Sequence, residues 1–184
     1  LSFDKKSSNS YEIDAHWALY CENFLEGFHI PFIHKGLSSD IENKSYETVL
    51  LDHAVLQLAK SKNKKNSFIS NQKINGKTLD DVYALYFWLF PNIMLNFYKW
   101  GISVNVIEPL GKEKTRIRFI SLPIEGNVQS SGYSNSVDHI EQEDQRVILN
   151  VQRGIKSKFY DRGRYSAEHE KGTHYFHTLI SRYI

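Results

Sequence analysis

The residues with the greatest capacity for chemistry lie between Asn23 and His34. This stretch holds one carboxylate, Glu26, and two imidazoles, His29 and His34. Two imidazoles and one carboxylate on a metal with open coordination positions form the facial triad of non-haem iron sites. The two histidines are therefore candidate ligands, although such a pair also occurs as one structural and one surface histidine. A third ligand must come from another part of the chain.

The candidate for that third ligand is Asp144, in a segment with helical periodicity from about Val137 to Phe159. The apolar stripe of this segment comprises Ile140, Val147, Ile148, Val151 and Ile155. Asp144 lies in the middle of the stripe, where burial is expected. Because burying an uncompensated carboxylate is costly, Asp144 should be neutralised, paired or bound to a metal. We predict that it binds the metal.

A helix that begins at Trp17 is expected to position the two histidines. Its predicted core face comprises Trp17, Tyr20, Cys21, Phe24, Leu25 and Phe28. Pro31 disfavours a helical residue before it, so the helix should stop or kink just after His29. In an unbroken helix His29 and His34 would point about 140° apart, whereas a break lets both face one point. Glu26, one turn before His29, is either the partner of its second ring nitrogen or an exposed neighbour.

The middle of the chain is predicted to be an antiparallel sheet. Residues 46–60 alternate as one or two strands, and four apolar runs separated by turn signals follow at 82–90, 93–100, 102–110 and 115–123. We expect a linker at 1–15 and loops at 62–81 and 126–135. Ser136 or Asp138 is expected to cap the helix that carries Asp144, and a last helix should span about Ser166 to Tyr183 and bury Phe176, Leu179, Ile180 and Tyr183.

Composition limits the class of protein. A chain of 184 residues with 41% hydrophobic content predicts one domain, residues 1–184. The net charge of +2 is too small to indicate nucleic acid or an anionic membrane as a partner, and no apolar run reaches the roughly 20 residues of a membrane span. We expect a soluble, cytoplasmic protein. The single cysteine, Cys21, excludes a cysteine-ligated iron–sulfur cluster within the chain and is expected to fill the core.

Two other groups of residues have simpler interpretations. Glu170, His174 and His177 share a helix face at metal-ligand spacing, but they lie opposite the apolar face, so a solvated surface is favoured. The aromatic run from Tyr83 to Phe90 is more typical of a core than of a nucleic-acid platform.

The segment Ala15-His-Trp-Ala-Leu-Tyr-Cys-Glu-Asn-Phe-Leu-Glu-Gly-Phe-His-Ile-Pro-Phe-Ile-His resembles the iron-binding segment of the α subunits of Rieske-type non-haem iron oxygenases, the ring-hydroxylating and choline monooxygenase-like group. The C-terminal segment of that family is similar to Glu143-Asp144, followed by Val151-Gln-Arg-Gly, Ser157, Tyr160, Gly163-Arg-Tyr-Ser and Phe176-His. The resemblance extends from about residue 11 to residue 180.

The resemblance implies an α+β, START-like helix-grip fold, in which a curved antiparallel sheet and a long C-terminal helix enclose a cavity. It implies that His29, His34 and Asp144 bind a mononuclear Fe(II) and that Asn23 lies near it. Glu26 would occupy the position of the acidic bridge that carries electrons from the Rieske cluster of an adjacent subunit.

The resemblance also implies partners. A [2Fe-2S] cluster would belong to an N-terminal Rieske domain that is absent from this chain. The chain is then either a fragment of a longer α subunit, which Leu1 in place of Met favours, or a degenerate stand-alone copy. Electrons would come from a reductase or ferredoxin, and the enzyme would be a homo-oligomer, by resemblance a trimer. The reaction would insert oxygen from O₂ into a largely apolar or aromatic small molecule. A non-catalytic helix-grip ligand-binding module and a zinc hydrolase are the alternatives.

Overall fold

The structure is a computed structural model that describes residues 1–42, 45–67, 69, 72–74, 77–124 and 130–184. The nine strands in these ranges are β1 (Asp4–Ile13), β2 (Glu47–Leu51), β3 (Ala54–Lys60), β4 (Gln72–Ile74), β5 (Lys77–Leu79), β6 (Val82–Leu89), β7 (Ile93–Tyr98), β8 (Gly101–Gly111) and β9 (Lys114–Pro123). The α-helices are α1 (Trp17–Leu25), α2 (Ile30–Ile33), α3 (Lys35–Asp40), α4 (Ser130–Ile155) and α5 (Lys171–Ile180).

Seven strands form one antiparallel sheet in the order β1-β9-β8-β7-β6-β3-β2. The meander from β6 to β9 and the hairpin of β2 and β3 confirm the predicted sheet. The predicted linker at residues 1–15 is wrong, because β1 pairs with β9 and closes one edge of the sheet. The sequence of β1 is polar because most residues of this edge strand are exposed or half-buried; within β1, Ile13 alone is buried. In the predicted loop at 62–81, β4 and β5 form a separate small hairpin.

The helices α1, α4 and α5 pack together on one side of the sheet, α1 against β8 and α4 against β1. The centre of this layer is a core cluster in which Cys21 and Leu25 of α1 and Phe176 of α5 meet Trp88 of the sheet. Cys21 is fully buried, as its place among apolar positions predicts. The predicted α+β fold is confirmed.

Helix α4 differs from its predicted form in two ways. It already begins at Ser130, ahead of the predicted caps Ser136 and Asp138, while residues 126–129 of the predicted loop lie outside the described residues. Its buried stripe is also narrower than predicted. Ile148 is buried, but Val151 and Ile155 are exposed, and the residues one turn before and one turn after Ile148, Asp144 and Gln152, are polar. One of these, Gln152, is buried and accepts a hydrogen bond from the backbone N–H of His16 at 2.8 Å.

Helix α5 is shorter than predicted at both ends. It buries Phe176 and Leu179, but Tyr183 lies beyond its last residue and is 67% exposed. Helix α1 likewise ends at Leu25, four residues before the predicted break, and Phe28 is exposed rather than in the core.

The face of the sheet that meets the helices is divided into two parts. At one end it carries large apolar side chains, such as Trp88, Met94 and Ile107, that join the core cluster. In the neighbouring cross-strand row, Tyr86 pairs with Asn96, which pairs with Ser103, which pairs with Ser121. Small and polar side chains in this second row cannot fill the space under the helices as Trp or Ile would. A cavity therefore lies between this end of the sheet and the helices.

Candidate metal centre and cavity

The cavity has a volume of about 130 Å³ and brings together elements from the whole chain. An apolar cavity of about 150 Å³ holds benzene, so the space suits a molecule of that size. The helical side contributes Tyr20, Asn23, Phe24, Glu26, His29, Ile30, His34, Leu37, Ile140, Glu141 and Asp144. Tyr46, Asn66, Tyr83, Tyr86, Asn96, Tyr98, Lys99, Trp100 and Asn105 complete the lining. All five residues singled out in the sequence as site residues border this one space.

The end of α1 fixes the position of His29. The helix stops at Leu25 because Glu26 has extended backbone angles, φ −125° and ψ 134°. The carboxylate of Glu26 then accepts hydrogen bonds from the backbone N–H groups of Phe28 at 2.5 Å and His29 at 3.0 Å. These bonds satisfy donors that the interrupted helix leaves unpaired. The break that separates the two histidines is therefore made at Glu26 and not at Pro31.

Pro31 has a different function from the predicted one. It lies in the first turn of α2, where a missing N–H costs nothing, and it helps to start that short helix. His34 caps the end of α2, and its backbone N–H donates to the Ile30 carbonyl at 3.0 Å. Its side chain is only 2% exposed. His34, which lies between the short helices α2 and α3, thus directs a buried imidazole toward the cavity.

Three ligand atoms converge at the cavity wall. His29 Nε2 lies 3.1 Å from His34 Nε2, and Asp144 Oδ1 lies 3.0 Å from His34 Nε2 and 3.4 Å from His29 Nε2. Ligands about 2.1 Å from a metal and at right angles to one another are about 3.0 Å apart, so the triangle matches one face of an octahedron. The donor set, two imidazoles and a carboxylate, fits a mononuclear non-haem iron. Among the described residues, this is the one group of three or more metal-ligating side chains that converge in this way.

Each histidine is oriented by a carboxylate on its other ring nitrogen. Glu26 accepts from His29 Nδ1, and Glu143 Oε2 lies 2.8 Å from His34 Nδ1. A bond at Nδ1 fixes the tautomer and the ring so that Nε2 faces the common point. The i,i+3 spacing had suggested Glu26 for this position. Glu143 was missed, although its place next to Asp144 and one turn after Ile140 would have put it on the edge of the same helix face.

Asp144, like the two histidines, has a hydrogen-bond partner that fixes its position. Asn23, on α1, donates its side-chain Nδ2–H to Asp144 Oδ1 at 2.8 Å. Asn23 therefore lies beside the candidate ligands and links the helix that precedes the histidines to α4. The side chain of Asp144 is 13% exposed, which leaves it in contact with the cavity.

The electrostatics of the three groups are strongly coupled. Burial raises the pKa of Asp144, but hydrogen bonds from His29 and His34 outweigh it and lower the pKa to about 2. Burial lowers the pKa of His29, but bonds to Asp144 and Glu26 raise it to about 9. The pKa of His34 is raised for the same reason, by Asp144 and Glu143. His29 and His34 must lose protons before a metal can bind, so metal binding at this site would release protons.

Beside the candidate ligands the cavity has an aromatic wall. The rings of Tyr98 and Trp100 are stacked, with centroids 5.4 Å apart. Tyr86 meets Tyr98 edge to face at 5.9 Å, and Phe24 meets Tyr86 edge to face at 6.2 Å. Burial raises the pKa of Tyr98 well above its usual value, so the phenol stays neutral. The aromatic run that the sequence assigned to the core thus also forms part of the cavity.

Polar groups complete the cavity on two sides. On the sheet, the Asn105 Oδ1 atom accepts from Ser103 Oγ at 3.1 Å and from Asn96 Nδ2 at 3.4 Å. On the helical side, the hydroxyl of Tyr20 donates to Glu141 Oε2. None of these residues was singled out as a site residue from the sequence.

The other sequence candidate, on α5, does not assemble. His177 Nε2 lies 2.8 Å from Glu22 Oε1, and His177 Nδ1 accepts from the hydroxyl of Tyr165. Glu170 accepts from the backbone N–H of Ser166 at 2.6 Å. His177 thus contacts α1 and the segment before α5, and Glu170 contacts that same segment, which is consistent with the solvated-face interpretation.

The family model for the ring hydroxylating alpha subunit (catalytic domain) matches residues 2–184. The chain therefore belongs to this family, the catalytic domains of Rieske-type oxygenases, and the predicted resemblance is confirmed. Its relatives are oxidoreductases. A choline monooxygenase of Arabidopsis thaliana, described as chloroplastic, is 32% identical over 178 residues, which are 92% of this chain and 40% of that protein.

A carnitine monooxygenase oxygenase subunit of Escherichia coli K12 is 29% identical over 181 residues, or 91% of this chain and 46% of that protein. The chain thus spans less than half the length of these relatives. A solved quaternary ammonium Rieske monooxygenase in complex with an inhibitor superposes with a TM-score of 0.80 at 20% identity, over 99% of this chain and 49% of that chain. Dicamba monooxygenase bound to dicamba gives a TM-score of 0.63 at 12% identity, over 95% of this chain and 57% of that chain. These structures share the fold.

Within the described residues, no helix is both long enough and apolar enough to cross a membrane. The predicted cytoplasmic location stays a prediction, since the plant relatives are described as chloroplastic.

Proposed function

We propose that this chain is the catalytic domain of a Rieske-type monooxygenase that oxidises a small quaternary ammonium compound. The proposal replaces the largely apolar or aromatic substrate expected from the sequence. The observation that carries it is the aromatic wall beside the candidate metal ligands. Faces of Tyr and Trp attract quaternary ammonium groups through their ring quadrupoles, and an aromatic cage is the usual receptor for such groups.

His29, His34 and Asp144 would hold the metal through Nε2, Nε2 and Oδ1. An Fe(II) ion bound there supplies the activation of O₂ beside an organic substrate. The protein fixes the three ligand atoms in advance, because each ligand has a second hydrogen-bond partner: Glu26, Glu143 and Asn23. Iron is favoured over the zinc of a hydrolase by membership of the family.

Glu26 would also connect the centre to its electron source. Its carboxylate binds His29 Nδ1 and is 15% exposed, so a donor outside the chain can approach it. The donor would be a [2Fe-2S] Rieske cluster, reduced in turn by a ferredoxin or a reductase. Inter-subunit electron transfer is described for a structurally similar quaternary ammonium Rieske monooxygenase. We propose a similar homo-oligomer here, a trimer, with Glu26 at the contact between subunits.

The cavity would position the substrate and exclude water. Its volume of about 130 Å³ limits the substrate to a small molecule. Tyr86, Tyr98 and Trp100 would surround the ammonium group. The amide groups of Asn96 and Asn105 would hydrogen-bond a hydroxyl or carbonyl at the other end of the molecule.

The proposal is tested by ligand binding to the iron-loaded chain, measured by calorimetry. Choline should bind more tightly than toluene, an aromatic compound of comparable size. Replacement of Tyr86 by Leu should weaken choline binding about 10-fold, because a cation–π contact is lost. The matched control is Phe87→Leu, on the same strand but on the opposite face. Equal binding of choline and toluene, or equal effects of the two variants, would refute the proposed substrate class.

A further inference from the structure

Glu141 is a carboxylate at the cavity wall that is not one of the candidate ligands. It lies on α4, one helical turn before Asp144, and it lines the same cavity. Tyr20 approaches it from α1 and donates its hydroxyl hydrogen to Glu141 Oε2. Tyr20 is only 4% exposed and belongs to the core cluster, so the carboxylate is held by a buried residue.

The pair of Tyr20 and Glu141 presents negative charge to the cavity. Burial, and after it the charge of Glu141, raises the pKa of the Tyr20 phenol well above its usual value, so the phenol stays neutral. A hydrogen bond from a neutral donor orients a carboxylate without removing its charge. Glu141 is also close enough to Tyr98 to contribute to the raised pKa of that phenol. Glu141 and the aromatic wall of Tyr86, Tyr98 and Trp100 line the same cavity.

A carboxylate and an aromatic wall in one cavity are together what a quaternary ammonium group requires. Such a group has no N–H to donate, so it is recognised by aromatic faces and by a charge at short range. Tyr98, which stacks on Trp100, and Glu141 both line the cavity that would hold such a group. The low polarity of the wall makes this charge more effective than a surface carboxylate.

We infer that Glu141 is the counter-charge for the substrate cation and determines the preference of the site for a cation over a neutral molecule of the same shape. This inference rests on the proposed function. It assigns a specificity role to Glu141 that is separate from metal binding.

The test compares choline with 3,3-dimethylbutan-1-ol, in which a carbon replaces the nitrogen and the shape is kept. Binding of both to the iron-loaded chain is measured by calorimetry, with iron content determined for every variant. The wild-type chain should prefer choline. In Glu141→Gln that preference should fall by about 10- to 100-fold, with iron content and affinity for the neutral alcohol retained.

Two further variants separate charge from structure. Glu113→Gln removes the same charge from an exposed position, where Glu113 pairs with Lys156, and should keep the full preference for choline. Tyr20→Phe removes the hydrogen bond but leaves the charge of Glu141, so most of the preference should remain. If Glu141 only ties α4 to α1, Tyr20→Phe and Glu141→Gln will weaken both ligands to the same extent, and the inference is wrong.

The outcomes also separate this inference from the proposed function. A wild-type chain with no preference for choline over the alcohol contradicts the quaternary ammonium substrate itself. A wild-type preference that persists in Glu141→Gln supports that substrate class and overturns the role of Glu141 alone.

Discussion

Replacement of Glu143 by Gln tests whether the site depends on a carboxylate behind His34. Glu143 Oε2 lies 2.8 Å from His34 Nδ1, and His34 is almost fully buried. The amide of Gln has the same shape and still offers an oxygen acceptor, so the ring should keep its orientation. What is lost is the negative charge that increases the basicity of the imidazole.

The size of the effect follows from this geometry. Carboxylates behind metal-binding histidines typically contribute 10- to 100-fold to metal affinity. Glu143 is 30% exposed, which screens its charge, and Gln preserves the hydrogen bond. We therefore expect the lower part of that range, about 10- to 30-fold or about 1.4–2 kcal/mol.

The assay is anaerobic titration of the metal-free chain with Fe(II), at one pH for all variants. Glu143 also lies 3.5 Å from His139, whose side chain is 74% exposed. His139→Ala is therefore the matched control and should leave metal affinity unchanged. Unchanged affinity in Glu143→Gln, or an equal loss in His139→Ala, would refute the reasoning.

Three other predictions concern the centre and the sheet. Glu26→Gln should lower Fe(II) affinity at least as much as Glu143→Gln, because Glu26 is only 15% exposed; in the complete enzyme at saturating iron it should also slow single-turnover electron transfer from the Rieske cluster, and unchanged rates would exclude the bridge. Because the pKa of His29 is raised to about 9 in the metal-free chain, Fe(II) must displace a proton at neutral pH. Affinity should therefore fall at least tenfold for each unit that the pH is lowered, and more steeply where His34, whose pKa is also raised, must lose a proton too, as titrations at about pH 6.5 and 7.5 can check. Gly101→Ala should lower the free energy of unfolding by about 3 kcal/mol, since φ is +152° and a Cβ would lie 2.4 Å from the Leu122 carbonyl oxygen. Gly111→Ala, where a Cβ has open space, is its control in denaturant unfolding.

The sheet was predictable wherever strands have an apolar face. Strands β6 to β9 alternate clearly and lie close to their predicted bounds. Strand β1 was not predictable from periodicity, because an edge strand with mostly polar, partly exposed residues has no alternating signal. Helix α4 was predicted to begin too late, since its first turns contain Ser, Gly and Asn, which are typical of loops.

The candidate site was predictable only in part. His29, His34 and Asp144 could be selected because ligand types stood at unusual positions, and the structure brings their ligand atoms together. The cause of the break between the histidines was misassigned to Pro31, since a side chain that accepts from backbone N–H groups two and three residues later, as Glu26 does, leaves no clear sequence signal.

The aromatic wall could not be predicted because it depends on register. Tyr86 and Tyr98 lie on neighbouring strands, and their rings meet only because the pairing of β6 with β7 places Tyr86 opposite Asn96, two residues before Tyr98. Glu141 likewise reaches Tyr20 only because α4 crosses α1. The chemistry of the metal site was thus visible in the sequence, while the residues that select the substrate required the fold.

Anomalous diffraction at the iron edge, from crystals of the iron-loaded chain, tests whether His29, His34 and Asp144 are the metal ligands. We expect one iron per chain, within about 2.0–2.3 Å of His29 Nε2, His34 Nε2 and Asp144 Oδ1. In Asp144→Ala the peak should be lost. Iron bound elsewhere, or full iron occupancy in the Asp144 variant, would contradict this assignment of the centre.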